Sequence, residues 1–211
     1  LRPDLLLAPG IIDHYNIGLV ETTESDPAFA AGLRIHAAYG KINYEPVDGL
    51  SVDVGGRYEK AKQFVNPINV FAVPSSSLAN TRLEKSYLLP AATVTWEFAP
   101  QMQFRVNASK TIARPQFREL VFQQYYDPES DRLYRGNPLL TDSKLFNAEG
   151  RFEWYYAQDQ KVAVAAFYKK IDNPIEAFTG FSDNAPQTSY ANAPKATLYG
   201  AEVEMQKHFD L

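Results

Sequence analysis

The stretch QMQFRVNASKTIARPQFREL, residues 101–120, decides how the rest of the chain is read. Met102, Phe104, Val106, Ala108 and Ile112 fall on one parity, and Gln103, Arg105, Asn107, Ser109 and Thr111 on the other. A period of two describes a strand whose side chains alternate between two faces. A soluble sheet with an apolar core face gives the same alternation. The question is therefore what the apolar face meets: a second sheet, or lipid.

The 211 residues are enough for one large domain or two small ones, and 45% hydrophobic with 22% charged residues is the composition of a folded chain. A formal net charge of −4 argues against a nucleic-acid binder. Aromatics are abundant, with 13 Tyr and 13 Phe. With no cysteine, disulfides, thiolate metal sites and cysteine nucleophiles are excluded. The opening LRPDLLLAPG lacks the pattern of a signal peptide, so an internal piece of a longer protein is expected. No window is apolar enough for a membrane helix, a test that membrane strands escape because half their residues are polar.

Seven segments with period-two alternation follow, at about 33–45, 50–62, 87–98, 102–113, 144–156, 161–172 and 196–208. Residues 1–32 read as an irregular or loop-like lead-in, and 33–211 as one β segment. Short links at 46–49, 99–101 and 157–160 alternate strictly with long ones at 63–86, 114–143 and 173–195. A sandwich has no reason to alternate this way, whereas an up-and-down outer-membrane barrel has short turns at one end and long loops at the other. Leu50, Val52 and Val54 oppose Ser51 and Asp53; Val94 and Trp96 oppose Thr93 and Thr95; Phe146 and Phe152 oppose Asn147, Glu149, Arg151 and Glu153. Trp96, Phe98, Trp154, Tyr156 and Tyr44 gather just before short turns, as an interfacial aromatic girdle would. The expected fold is all-β: antiparallel up-and-down strands, about seven of them, forming a segment of a transmembrane β-barrel. Leu50, Val52, Val54, Val94, Phe104, Val106, Phe146 and Phe152 face the bilayer lipid in that reading, and the polar parity lines the lumen.

Six short motifs then occur in order. Gly55-Gly56-Arg57-Tyr58-Glu59 is followed by Ala113-Arg114-Pro115 with Phe117 and Glu119-Leu120. Gly136-Asn137-Pro138-Leu139-Leu140, Glu153-Trp154-Tyr155-Tyr156, Ala166-Phe167-Tyr168-Lys169-Lys170-Ile171 and Tyr199-Gly200-Ala201-Glu202 complete the series. Together they resemble the barrel region of TonB-dependent outer-membrane receptors, most closely the proteobacterial branch often linked to carbohydrate uptake. The resemblance implies a place in the bacterial outer membrane and a barrel of about 22 strands around an N-terminal plug domain. It implies active import of a scarce small-molecule ligand, of carbohydrate or iron–siderophore class, powered through an inner-membrane TonB complex. Plug and TonB box are absent from these 211 residues, the usual aromatic C-terminal strand end is missing, and about seven strands cannot close such a barrel.

Catalysis finds no cluster. His14, His36 and His208 are scattered, no nucleophile elbow or phosphate loop occurs, and no metal or cofactor is expected. Glu149 and Glu153 read as solvated wall carboxylates pairing with Arg105 or Arg151. Asp127, Glu129 and Asp131 have the first spacings of a calcium loop without its later Gly and Glu. The long link 114–143 combines clustered aromatics with both signs of charge, which suits sugar rings or an aromatic siderophore. Tyr125, Tyr126 and Arg132, with Tyr134 second, are the expected ligand contacts; the tyrosines packing the loop on itself or on the plug is the competing reading. A soluble carbohydrate-binding or adhesion module, a passive porin and an outer-membrane enzyme are the rival functions.

Overall fold

The computed structural model describes residues 8–15, 28–68, 80–182 and 185–208. A short helix, α1 (Pro9–Tyr15), precedes β1 (Ala28–Val47), β2 (Leu50–Ile68), β3 (Thr81–Ala99) and β4 (Met102–Ala113). Then come α2 (Phe117–Leu120), β5 (Gln124–Asp127), β6 (Arg132–Arg135), β7 (Ser143–Ala157), β8 (Gln160–Asp172), β9 (Ile175–Ser182), β10 (Ala185–Asn192) and β11 (Lys195–Gln206). Seven strands form one antiparallel wall in the order β1-β2-β3-β4-β7-β8-β11, and a second sheet has the order β5-β6-β10-β9. Every segment expected from the alternation is a wall strand. The first strand begins at Ala28, inside the stretch read as lead-in, and that stretch also holds α1. Part of the first long link, 69–79, lies outside the described residues.

The three short hairpins share one geometry. Each has two turn residues, Asp48-Gly49, Pro100-Gln101 or Gln158-Asp159, the second in the left-handed region (φ 77°, 66° and 56°). Each also carries one extra residue on the incoming strand, marked by register shifts at Tyr44/Val47, Trp96/Ala99 and Trp154/Ala157. Such a bulge bends the strand end and re-aims its side chains. It produces the same ring pair twice: Trp96–Phe98 and Trp154–Tyr156 both have centroids 5.6 Å apart and planes at 58°. The turns are also stitched to the next strand pair, with Glu97 N donating to Gly49 O at 2.7 Å and Tyr155 N to Gln101 O at 2.8 Å.

Which face is covered is read from the alternation of burial. On β2, Glu59, Ala61, Gln63 and Val65 are buried while Tyr58, Lys60, Lys62 and Phe64 between them are exposed. The covering pieces all arrive on that one face: Gln63 Nε2 donates to Pro115 O at 2.8 Å, and Tyr87 Oη to Asp142 Oδ2 at 2.8 Å. The opposite face carries Val54, Val94, Trp96, Phe104, Val106, Phe146, Trp154, Tyr199 and Val203, each at least a third exposed. A water-facing surface this apolar and this continuous is not tolerated by a soluble monomer.

The position of charge on the exposed face supplies the strand tilt. The rung Gly55–Ala91–Ser109–Asn147–Lys169 crosses five strands. Beyond it the first outward charge comes one residue later on β8 (Lys170) and five later on β2 (Lys60). Four residues of strand are about 13 Å and four strand spacings about 19 Å. A level line through these two charges requires the strands to lean by about 35°, within the range of membrane barrels, and leaves Lys110 on β4, one residue beyond the rung, below it. Below it, β7 shows Phe146, Ala148, Gly150, Phe152 and Trp154 on the exposed face. That is about 27 Å of strand and about 22 Å of height at this lean, close to the apolar band of an outer-membrane barrel.

β1, β2 and β3 are 20, 19 and 19 residues long, well beyond the segments expected from alternation. They continue past the apolar band, where Lys60 and Lys62 pair with Glu84 on the outer face (3.5 and 3.1 Å) and the apolar/polar rhythm stops. The links 114–143 and 173–195 likewise fold rather than loop: β6 and β10 pair in parallel and join the two into the second sheet.

Candidate ligand site

Loop 114–142 leaves the wall at Ala113 and is fastened at once. Arg114 donates through Nη2 to Glu59 Oε1, and Arg57 Nε reaches the other carboxylate oxygen at 3.0 Å. Pro115 holds its carbonyl to Gln63, and Glu119 turns back to accept from the Gln116 N–H at 2.8 Å, closing the start of α2. Leu120 and Val121 then bury against Val65 and Leu140, with Phe117, Leu83 and Tyr190 around them. This small core sits on the covered face of the wall, at the end away from the short hairpins.

The Gly-Asn-Pro-Leu-Leu element completes the fastening. A Cβ at Gly136 would stand 2.3 Å from Val121 O, 2.7 Å from Glu119 O and 2.8 Å from Arg118 O, so only glycine lets the chain cross the end of α2. Asn137 N donates to Glu119 O at 2.6 Å, its side-chain amide donates to Tyr190 O at 2.9 Å, and its Oδ1 accepts from Leu139 N at 2.9 Å. Asn192, on β10, accepts from Thr141 N at 2.8 Å and donates to Asn173 O at 2.9 Å, tying the two long links together. Gly136→Ala is expected to cost about 1–3 kcal/mol, because three carbonyls must move to admit one methyl. Urea unfolding of the full-length protein in lipid, with proteolysis at the loop as the local readout, measures it.

The four residues singled out in the sequence divide between two faces of the outer sheet. Tyr125 pairs with Tyr134 across β5 and β6, and Asp127 with Arg132, so these four share one face. Tyr126 points to the other, where it donates to Asp131. On the first face Tyr125 and Tyr134 stack at 5.5 Å and 16°, and Tyr134 and Tyr190 at 6.1 Å and 26°. Arg118 caps the stack with its guanidinium 5.1 Å from the Tyr125 ring. Tyr125 is buried; that burial, with the Tyr190 hydroxyl 3.3 Å away, keeps its phenol protonated well above the ordinary range. Tyr190 and Arg118 were not singled out in the sequence. A lone tyrosine in a link with no strand pattern, and an arginine inside a fastening motif, carry no signal of their own.

Charges on this sheet are unequally satisfied. Asp127 accepts from Ser130 Oγ at 2.6 Å, which holds its carboxyl below the usual range, and Asp131 accepts from Tyr126. Among the described residues Arg118, Arg132 and Arg135 make no ion pair, although Arg135 lies over the Phe122 ring at 4.9 Å. On the wall below, Arg151 bridges Glu153 at 2.9 Å and Glu204 at 2.5 Å, so Glu153 pairs with Arg151 as expected. Glu149 has no ion pair among the described residues.

A leaning antiparallel wall with an apolar outer face, aromatic hairpin ends and folded long links defines a segment of a transmembrane β-barrel. A protein-family model described as TonB dependent receptor-like, beta-barrel, matches residues 12–211, and the chain belongs to that family. The family is one of outer-membrane receptors and transporters. Among solved structures the chain is similar to the Serratia marcescens hemophore receptor HasR, in complex with its hemophore HasA and heme. There the TM-score is 0.61 at 15% identity, over 82% of this chain and 31% of that one. It is similar to the siderophore receptor PirA from Pseudomonas aeruginosa (TM-score 0.54, 15% identity, 84% of this chain and 40% of that one). The Acinetobacter baumannii siderophore receptor PirA follows at 0.50 and 12%, over 84% and 34%. These likenesses carry the fold, and the chain spans between about a third and two fifths of the receptors it matches.

Proposed function

We propose that this wall segment belongs to a receptor of the bacterial outer membrane that captures an anionic, aromatic small molecule of the iron–siderophore class and imports it. The long links face outside the cell and the short hairpins face the periplasm. A plug domain supplied by the rest of the protein fills the lumen, and a TonB complex drives release. The observation that carries the ligand class is the outer sheet: a tyrosine stack flanked by Arg118 and Arg132, neither in an ion pair among the described residues, beside carboxylates that are already satisfied. Planar rings stack on tyrosine, and unpaired guanidiniums bind oxyanions with directional hydrogen bonds. A neutral sugar would use the rings but not the cations. The solved receptors named for siderophores and heme support the same class.

Tyr125 and Tyr134 build the stack, Arg132 and the exposed edge of Tyr134 meet the ligand, and Tyr126, on the opposite face, contributes least. Arg132→Ala with Tyr134→Ala in the full-length receptor is expected to weaken binding by about 2 kcal/mol or more, as loss of anchor residues does. Tyr126→Ala should change affinity far less. Binding of a ferric tris-catecholate to whole cells, beside antibody detection of surface display, is the test. Normal display with unchanged affinity for the Arg132/Tyr134 variant removes this face from the site. Uptake that continues without the proton-motive force would sink the active-transport reading and favour a passive porin.

A further inference from the structure

We propose that the outer face of the wall carries a clamp for the phosphate-bearing headgroup of an anionic lipid in the outer leaflet, built from Lys110, Lys144, Lys170 and Lys195. The inference assumes the membrane orientation given above but not the ligand. Registers place all four on the lipid-facing parity. Lys110 lies opposite Phe146 and Phe146 opposite Lys170; one rung further out, Lys144 lies opposite Asp172 and Asp172 opposite Lys195. Four neighbouring strands thus present four ammonium groups in two adjacent rungs with one carboxylate, Asp172, which Lys170 already holds at 2.9 Å. Phe146 separates Lys110 from Lys170 and Asp172 separates Lys144 from Lys195, so four cations surround one carboxylate and leave room for a further anion.

The same level continues on β1–β3, where Arg34, Lys60, Lys62 and Arg82 share the outer parity with Glu84 alone. Eight cations against two carboxylates collect on this band of a chain whose net charge is −4. Phe146 lies between Lys110 and Lys170 in their own rung, and one outward rung nearer the hairpins Tyr168 and Tyr199 continue the apolar face. An occupant must therefore offer anionic heads and acyl tails together. A free phosphate would satisfy only the heads. Basic clusters at this height bind anionic headgroups.

The test uses full-length receptor purified in neutral detergent. It is titrated with diphosphorylated lipid A, with the same lipid lacking phosphate, and with phosphatidylcholine; native mass spectrometry counts the bound lipid. Replacing all four lysines by Gln (K110Q, K144Q, K170Q, K195Q) is expected to weaken diphosphorylated lipid binding at least tenfold. Arg at the same positions should retain it, and Lys169→Gln, on the lumen parity of β8, should leave it unchanged. If the fourfold Gln variant does not fold, judged by heat-modifiable migration, the pairs K110Q/K170Q and K144Q/K195Q carry the same comparison. Equal binding by Gln variants and wild type overturns the proposal, as does equal binding of the phosphate-free lipid. Displacement of the lipid by millimolar inorganic phosphate overturns it too, because the site would then read phosphate without the lipid.

Discussion

Arg at Val106 is expected to destabilise the barrel by about 2–4 kcal/mol, whereas Arg at the next residue, Asn107, should be close to neutral. Val106 stands opposite Val94 on β3 and Gly150 on β7, near the middle of the apolar rungs, and is 42% exposed on the face that none of the described residues covers. In a bilayer that exposure is contact with acyl chains, and a guanidinium placed there must snorkel or draw water with it. Asn107 stands on the lumen parity opposite Glu149, so an arginine there gains a carboxylate neighbour. Urea titration of the full-length protein in lipid vesicles compares the two. Equal losses at both positions would mean that neither face sees lipid, and the wall would have to be half of a soluble sandwich.

Legibility in the sequence followed the physics of each part. The wall strands were readable because one face meets hydrocarbon and the other water, which forces strict alternation through the membrane. Beyond the bilayer that constraint lapses. Lys60 and Lys62 are as acceptable on the outer face as Val52 was necessary, so β1–β3 run further than their pattern. The outer sheet left little trace, since β5 and β6 are four residues each, too short to show a period, and their order depends on pairing with β10 from a link about 50 residues away. The tyrosines of 114–143 were visible as a cluster. Their division between two faces was not, because facing in so short a hairpin is set by register. Two of the motifs that carried the family resemblance, at 113–120 and 136–140, turn out to hold the long loop down: Gly136, Asn137, Leu120 and Leu140 all fasten it, and none lies on the tyrosine face. Such motifs identify the fold and leave the ligand to the residues between them.

Glu59 is where that fastening is most exposed to test. Its side chain is 6% exposed and that of Arg114 17%, at the point where the loop leaves β4. Glu59→Ala leaves a guanidinium in the wall without its carboxylate, and removing one partner of a buried pair costs about 3–5 kcal/mol. Arg57, the other cation on this carboxylate, is 46% exposed and can turn to water, so it adds little to the loss. The consequence is local. Pro115 and Leu120 follow within six residues, so an Arg114 left without its carboxylate and turning out to water pulls the start of the loop with it and exposes the peptide bond after Arg118. Trypsin should cut there many times faster in Glu59→Ala than in the parent protein. Glu59→Ala combined with Arg114→Met should be cut at nearly the parent rate, because the orphaned charge is gone and its stem is replaced by an apolar one. The sign of the double variant separates two accounts of the Ala-Arg-Pro motif. If the double is cut as fast as the single, the ion pair itself holds the loop. If it recovers, the packing of Leu120, Val121 and Leu140 holds the loop, and the pair only sets which residue of the chain meets Glu59. Packing is the account favoured here, since the four fully buried side chains lie past the ion pair, and replacing a well-packed buried pair by apolar groups is often neutral.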